Sequence, residues 1–132
     1  MFNDPISDML TKIRNAIIVK HQIVEVPATK TTCTIASILK KEGLIKDFKE
    51  YKEDFRKVLL ISLKYKKGTN ESIISVLKRV SKPGLRIYSN YRNLPNILNN
   101  LGIILISTSK GIMTQSDAHK LKIGGELLCF IW

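Results

Sequence analysis

The stretch Ile104-Leu105-Ile106-Ser107-Thr108-Ser109-Lys110-Gly111-Ile112-Met113 decides how this chain is read. Its apolar start suits a pleated, half-buried strand. Three consecutive hydroxyl residues follow, then a lysine and a glycine. Gly111 has access to backbone angles closed to other residues, so the chain can turn there. The pattern predicts a tight loop at a rigid strand end that presents hydroxyls, backbone amides and one cation. Such a loop can hold phosphates, ribose hydroxyls or base edges without any acid or nucleophile. A plain strand end would also use Ser107 and Thr108. Three hydroxyls beside Lys-Gly in a strongly basic chain favour binding.

The basic character is general. Among 132 residues, 22 are Lys or Arg and 11 are Asp or Glu, a net charge of +11. This excess points to an anionic partner, nucleic acid before membrane. Residues 67–132 carry nine cations against only Glu71, Asp117 and Glu126, whereas residues 1–66 carry thirteen against eight acids. The second half is therefore the cleaner polyanion-binding surface. With 44% hydrophobic residues the chain can bury a core. No apolar run approaches the roughly 20 residues of a membrane span. The first residues resemble neither a secretory signal nor a transit peptide. Cys33 and Cys129 form no Cys-x-x-Cys pair and have no histidine at metal spacing, so reduced thiols without a metal are expected.

Asp4-Pro5 reads as a helix start, followed by apolar Ile6, Met9, Leu10, Ile13 and Ile17 at helical spacing. A short strand, Val24 to Val26, ends at Pro27. A second helix begins near Lys30, buries Ile35, Ile38 and Leu39, and stops at Gly43. Strands are expected at 44–48 and 57–65, with the charged residues 49–57 as the loop between them. Lys66-Lys67-Gly68-Thr69-Asn70 reads as a linker. Beyond it, a strand over 72–80, a turn at Lys82-Pro83-Gly84 and a strand over 85–88 are expected. Leu94, Ile97, Leu98 and Leu101 suggest a short helix closed by Gly102. Thr114-x-x-Asp117 resembles a capping box, and Gly124-Gly125 introduces the last strand. The expectation is an α+β fold. An N-terminal α-β-α-β-β half, residues 1–66, packs with a mostly β half, residues 67–132, that carries short helices.

Lys82, Arg86 and Tyr88 combine cations with a ring, and Arg86 and Tyr88 share a strand face. A phosphate clamp beside a stacking ring suits irregular RNA. Two enzyme motifs fail. A phosphate-binding Walker loop needs Gly before Lys and Ser or Thr after it, and a nucleophile elbow needs Gly where Ser107 stands. The competing reading, a small enzyme with a phosphate-binding Ser/Thr loop, lacks an acid–base or nucleophile pair.

The chain also resembles a known family. Gly102-x-x-Leu105-Ile106-Ser107-Thr108-x-x-Gly111-Ile112-Met113, Ala118 and Gly124-Gly125-Glu126-Leu127-Leu128-Cys129 are similar to the signature of small-subunit ribosomal protein eight. The likeness continues through Lys82 to Tyr88 and through Asp4 to Ala16, so it covers essentially the whole chain. It implies a structural constituent of the small ribosomal subunit and not an enzyme. Such a protein is a primary binder of a central-domain rRNA helix, aids assembly and has neighbouring ribosomal proteins as partners. It needs no cofactor, membrane or small-molecule substrate. The resemblance implies rRNA contacts for Ser107, Thr108, Ser109, Lys110 and Gly111, and for Arg14, Asn15 and Lys30. It makes Glu126 the support of the hydroxyl loop. The segment 115–120 lacks the arginines common in relatives. Residues 81–89 and 124–132 look like the plastid-encoded branch, which implies a chloroplast ribosome, with a bacterial cytoplasm as the alternative.

Overall fold

The computed structural model describes residues 4–93 and 102–132. They divide into two compact units, residues 1–75 and 76–132. The expected helix over 94–101 lies outside the described residues.

The first unit runs α1 (Pro5–Ile18), β1 (Ile23–Pro27), α2 (Lys30–Lys41), β2 (Ile45–Glu53) and β3 (Arg56–Leu63). Asp4 caps α1 by accepting hydrogen bonds from the Ile6 and Ser7 amides at 3.2 and 3.3 Å, with Pro5 in the first helical position. Thr29 and Thr32 cap α2 reciprocally, each side chain accepting from the other's amide. The helix ends as expected at Gly43, whose φ is +77°. The Leu44 amide reaches back to the Leu39 carbonyl and the Gly43 amide to that of Lys40. Met9, Leu10, Ile13, Ile35, Leu39, Leu59 and Ile61 are fully buried. The sheet order is β1-β3-β2, all antiparallel.

Two local expectations fail here. Residues 49–53 belong to β2, paired from Lys49↔Leu60 to Glu53↔Arg56, so the loop shrinks to Asp54-Phe55. β2 is an edge strand with most positions exposed, and such a strand tolerates charges. The stretch 66–70 is not a free linker. It turns, with Gly68 at φ +88° and Asn70 at +56°, and the chain returns through a Tyr65↔Ser72 bridge to the first unit. The division therefore falls after Ser75, not at 66/67.

The second unit comprises β4 (Leu77–Arg79), β5 (Tyr88–Ser89), a 3-10 turn (Tyr91–Asn93), β6 (Ile103–Thr108), β7 (Gly111–Thr114), α3 (Gln115–Leu121) and β8 (Gly125–Ile131). Its strands are antiparallel in the order β4-β8-β6-β7, and β5 also pairs with β8. Strands expected over 72–80 and 85–88 shorten to β4 and β5. Ile104, Ile106, Ala118 and Leu127 form a buried cluster, flanked by Val80, Met113, Ile123 and Phe130. Thr114 caps α3 by accepting from the Asp117 amide. Buried Gln115 ties the helix to β6. It accepts from the Ile104 amide at 2.7 Å and donates to the Gly102 carbonyl. Among the described residues, no helix is long and apolar enough to cross a membrane.

Candidate nucleic-acid interface

The hydroxyl loop is the turn of the β6–β7 hairpin. Ser107 pairs with Ile112 and Thr108 with Gly111, leaving Ser109 and Lys110 exposed at the tip. Gly111 sits at φ +105° with open space where a Cβ would stand, so its requirement is conformational, not steric. The Thr108 hydroxyl is committed internally. It donates to the Gly111 carbonyl at 2.8 Å and accepts from the Lys110 amide at 3.1 Å. Thr108 thus shapes the loop, while Ser107, Ser109 and Lys110 supply its outward chemistry.

The basic strand lies across β8 from it. Lys82 and Leu85 exchange backbone hydrogen bonds of 2.8 and 2.9 Å around Pro83-Gly84, which closes the expected turn. Ser81, fully buried, fastens the turn's base by accepting from the Ile87 amide at 2.9 Å. Arg86 and Tyr88 then stand exposed, Tyr88 to 69%.

Strand register joins the two motifs. Glu126 on β8 is the direct partner of Ser107 on β6 and of Tyr88 on β5. Direct partners in an antiparallel pair share a sheet face. Ser107, Glu126 and Tyr88 therefore form one row across three strands. The Glu126 carboxylate accepts from Arg86 Nη1 at 3.0 Å, with side chains 15% and 48% exposed. Glu126 was expected to brace the loop hydroxyls. Its carboxylate holds the cation of the basic strand, and Thr108 braces the loop from within.

The close approach of the strands depends on Gly124 and Gly125. A Cβ on Gly125 would run into the Ser107 carbonyl, and one on Gly124 into that of Ser89. Sequence reading treated this pair as a strand opener and missed its packing role. It also missed Ser81, Gln115 and Arg79, whose guanidinium donates to the Leu128 carbonyl. Ser81 had one available signal, a hydroxyl immediately before a Lys-Pro-Gly turn.

Arg14 and Asn15 lie on the exposed face of α1, and Lys30 begins α2, all in the first unit. Cys129 is buried and Cys33 partly so. Burial, then Glu50 beside it, pushes the Cys33 thiol up from its ordinary range. Among the described residues, no cluster of His, Cys, Asp or Glu could hold a metal ion.

The family model described as Ribosomal protein S8 matches residues 4–132. The chain is similar to the small ribosomal subunit protein uS8c of Phaeodactylum tricornutum, at 61% identity over 132 residues and all of both chains. It is 53% identical to the protein of the same name from Pyropia yezoensis over 130 residues, 98% of each chain. It is 55% identical to the small ribosomal subunit protein uS8 of Rippkaea orientalis, again over 130 residues and 98% of each.

Proposed function

The chain belongs to the ribosomal protein S8 family, and from that premise we propose that its second unit recognises a central-domain helix of small-subunit rRNA as a primary binder. As a family member it is a structural, non-enzymatic component of the small ribosomal subunit, with rRNA and ribosomal proteins as partners. Relatives named uS8c support a plastid ribosome as its home.

One observation carries the finer reading: the Ser107–Glu126–Tyr88 row with Arg86 held on Glu126. It sets a hydroxyl, a cation and an exposed ring side by side at the base of the hairpin whose tip is Ser109-Lys110. RNA offers its shallow minor groove, 2′-hydroxyls and phosphates to such a surface, and unstacked bases to a ring. Ser107 and Ser109 read shape through directional hydrogen bonds. Arg86, Lys82 and Lys110 neutralise phosphates, and Tyr88 stacks or packs on a sugar. Gly111 and Thr108 hold the loop. Arg14, Asn15 and Lys30 of the first unit brace further rRNA, where neighbouring proteins also contact the chain.

Filter binding of the full chain to a cognate rRNA hairpin at several salt concentrations tests this. Affinity is expected to fall with a log–log slope of about −0.7 to −0.9 per phosphate neutralised. Arg86→Ala should weaken binding and reduce that slope by about one contact. An unchanged slope and affinity would remove Arg86 from the interface.

A further inference from the structure

The first unit carries a feature that an RNA-binding role leaves unused. β2 and β3 form a long hairpin, paired from Ile45↔Leu63 to Glu53↔Arg56 and closed by Asp54 and Phe55 alone. Asp54 adopts φ +52°, a backbone that Asp tolerates better than most residues. The tight turn leaves Phe55 fully exposed, at 103% of its reference area. Nothing in the described chain covers the ring, and a paired hairpin holds it outward.

The charges around it decide what kind of partner it fits. Glu53 and Asp54 precede the ring. The Arg56 guanidinium is held by Glu25 and Glu53 at 3.7 and 3.8 Å, so three carboxylates face one cation. The next pair of the ladder, Lys52↔Lys57, only restores parity. Along the hairpin as a whole Lys46, Lys49, Lys52, Arg56 and Lys57 balance Asp47, Glu50, Glu53 and Asp54, so the excess of carboxylates is confined to the tip. Aromatic platforms that stack nucleic-acid bases sit in positively charged grooves. A phosphate arriving here meets carboxylates first. A protein surface with an apolar pocket and a basic rim matches both the ring and the charge.

We propose that the β2–β3 hairpin is a protein-docking finger, with Phe55 inserted into an apolar pocket rimmed by Lys or Arg on a neighbouring protein of the same subunit. This rests on the reading of the chain as a small-subunit component. Glu53 and Asp54 orient the finger, and the ladder to Leu63 keeps it stiff.

The test is competitive incorporation into reconstituted small subunits, with full-length chains. Phe55→Ala is expected to compete roughly tenfold less well than the unsubstituted chain, because a buried Phe contributes about that much or more. Its affinity for the isolated rRNA hairpin should be unchanged. Asp54→Lys should also lose incorporation and keep hairpin affinity. A photo-crosslinking phenylalanine analogue at position 55 should label a subunit protein at a peptide containing both apolar and basic residues. Crosslinking to rRNA, no crosslink at all, or full competition by Phe55→Ala would overturn the proposal. If the unsubstituted chain itself failed to enter subunits, the functional reading would fall, and this proposal with it.

Discussion

Two hairpins in this molecule solve the same backbone problem and display opposite chemistry. The β6–β7 hairpin ends in Ser109-Lys110, and the β2–β3 hairpin ends in Asp54-Phe55. Each leaves two residues between its closing pair. The first tip is hydroxylated and cationic, anchored by Thr108 and Gly111 and set beside Arg86 and Tyr88. The second is acidic and aromatic, and two carboxylates, Glu25 and Glu53, share the Arg56 beside it, whereas Arg86 faces the single carboxylate of Glu126. The loop length therefore says little about the partner. What distinguishes the tips is the charge left unmatched and the residues that neighbouring strands bring alongside.

The sharpest way to break the comparison is at Gly125. A Cβ there collides with the Ser107 carbonyl, so Gly125→Ala should destabilise the second unit by about 3 kcal/mol. Trp132, the sole tryptophan, stacks against Phe130 and reports on that unit, so its fluorescence in urea is the measurement. Phe55→Ala, at the other tip, should shift stability by less than about 0.5 kcal/mol. Equal losses at the two sites would end the distinction between a packed hairpin base and a free finger.

Next in size come the hydroxyls. Ser107→Ala and Ser109→Ala should each cost on the order of 1 kcal/mol of cognate RNA binding and leave the salt slope nearly unmoved. Lys110→Ala should lower cognate and scrambled binding together and flatten the slope by about 0.7 to 0.9. Serine variants that kept full discrimination between cognate and scrambled hairpins would refute shape reading by this loop.

Thr108 separates folding from binding. Thr108→Ala removes both internal bonds of the turn and should cost about 1 kcal/mol of stability, whereas Thr108→Ser should retain most of it. Amide exchange at Lys110 follows the turn directly. Protection that survived in Thr108→Ala would mean the hydroxyl does not hold the loop.

The smallest effect lies at the base of the β2–β3 hairpin. Lys40 hydrogen-bonds Asp47 at 2.9 Å and, with the Phe48 amide, lowers its carboxyl below the ordinary aspartate range. A lowered folded value means the contact favours folding above the unfolded aspartate range. The benefit is lost as pH falls through the lowered folded value. Lys40→Met should return the Asp47 midpoint toward the usual range in an NMR titration. A midpoint that stayed low would assign the shift to the Phe48 amide alone.

Much of the first unit was legible because its signals are local. Asp4-Pro5, the apolar spacing of α1 and Gly43 each act within a few residues. β2 was misread because charges on an exposed edge strand look like a loop in one dimension. In the second unit the hydroxyl turn was readable from Ser107 to Gly111. The extents of β4 and β5 were not, since both are set by pairing with β8, 36 to 54 positions later. The partner of Glu126 was likewise hidden. A carboxylate's charge is plain in the sequence, but which of several nearby donors reaches it depends on three strands coming into register.

That placement of β8 has a consequence in time. The strand follows β4, β5 and β6 in the chain, yet it lies between β6 and the other two. During synthesis the earlier strands must wait without their common neighbour, and the Ser107–Glu126–Tyr88 row cannot exist until residues 125–131 have been added. A chain interrupted before that point would carry its lysines and hydroxyls unassembled. It could attract RNA by charge, but it could not hold one shape against another. On the function proposed above, selective binding therefore waits on completion of β8.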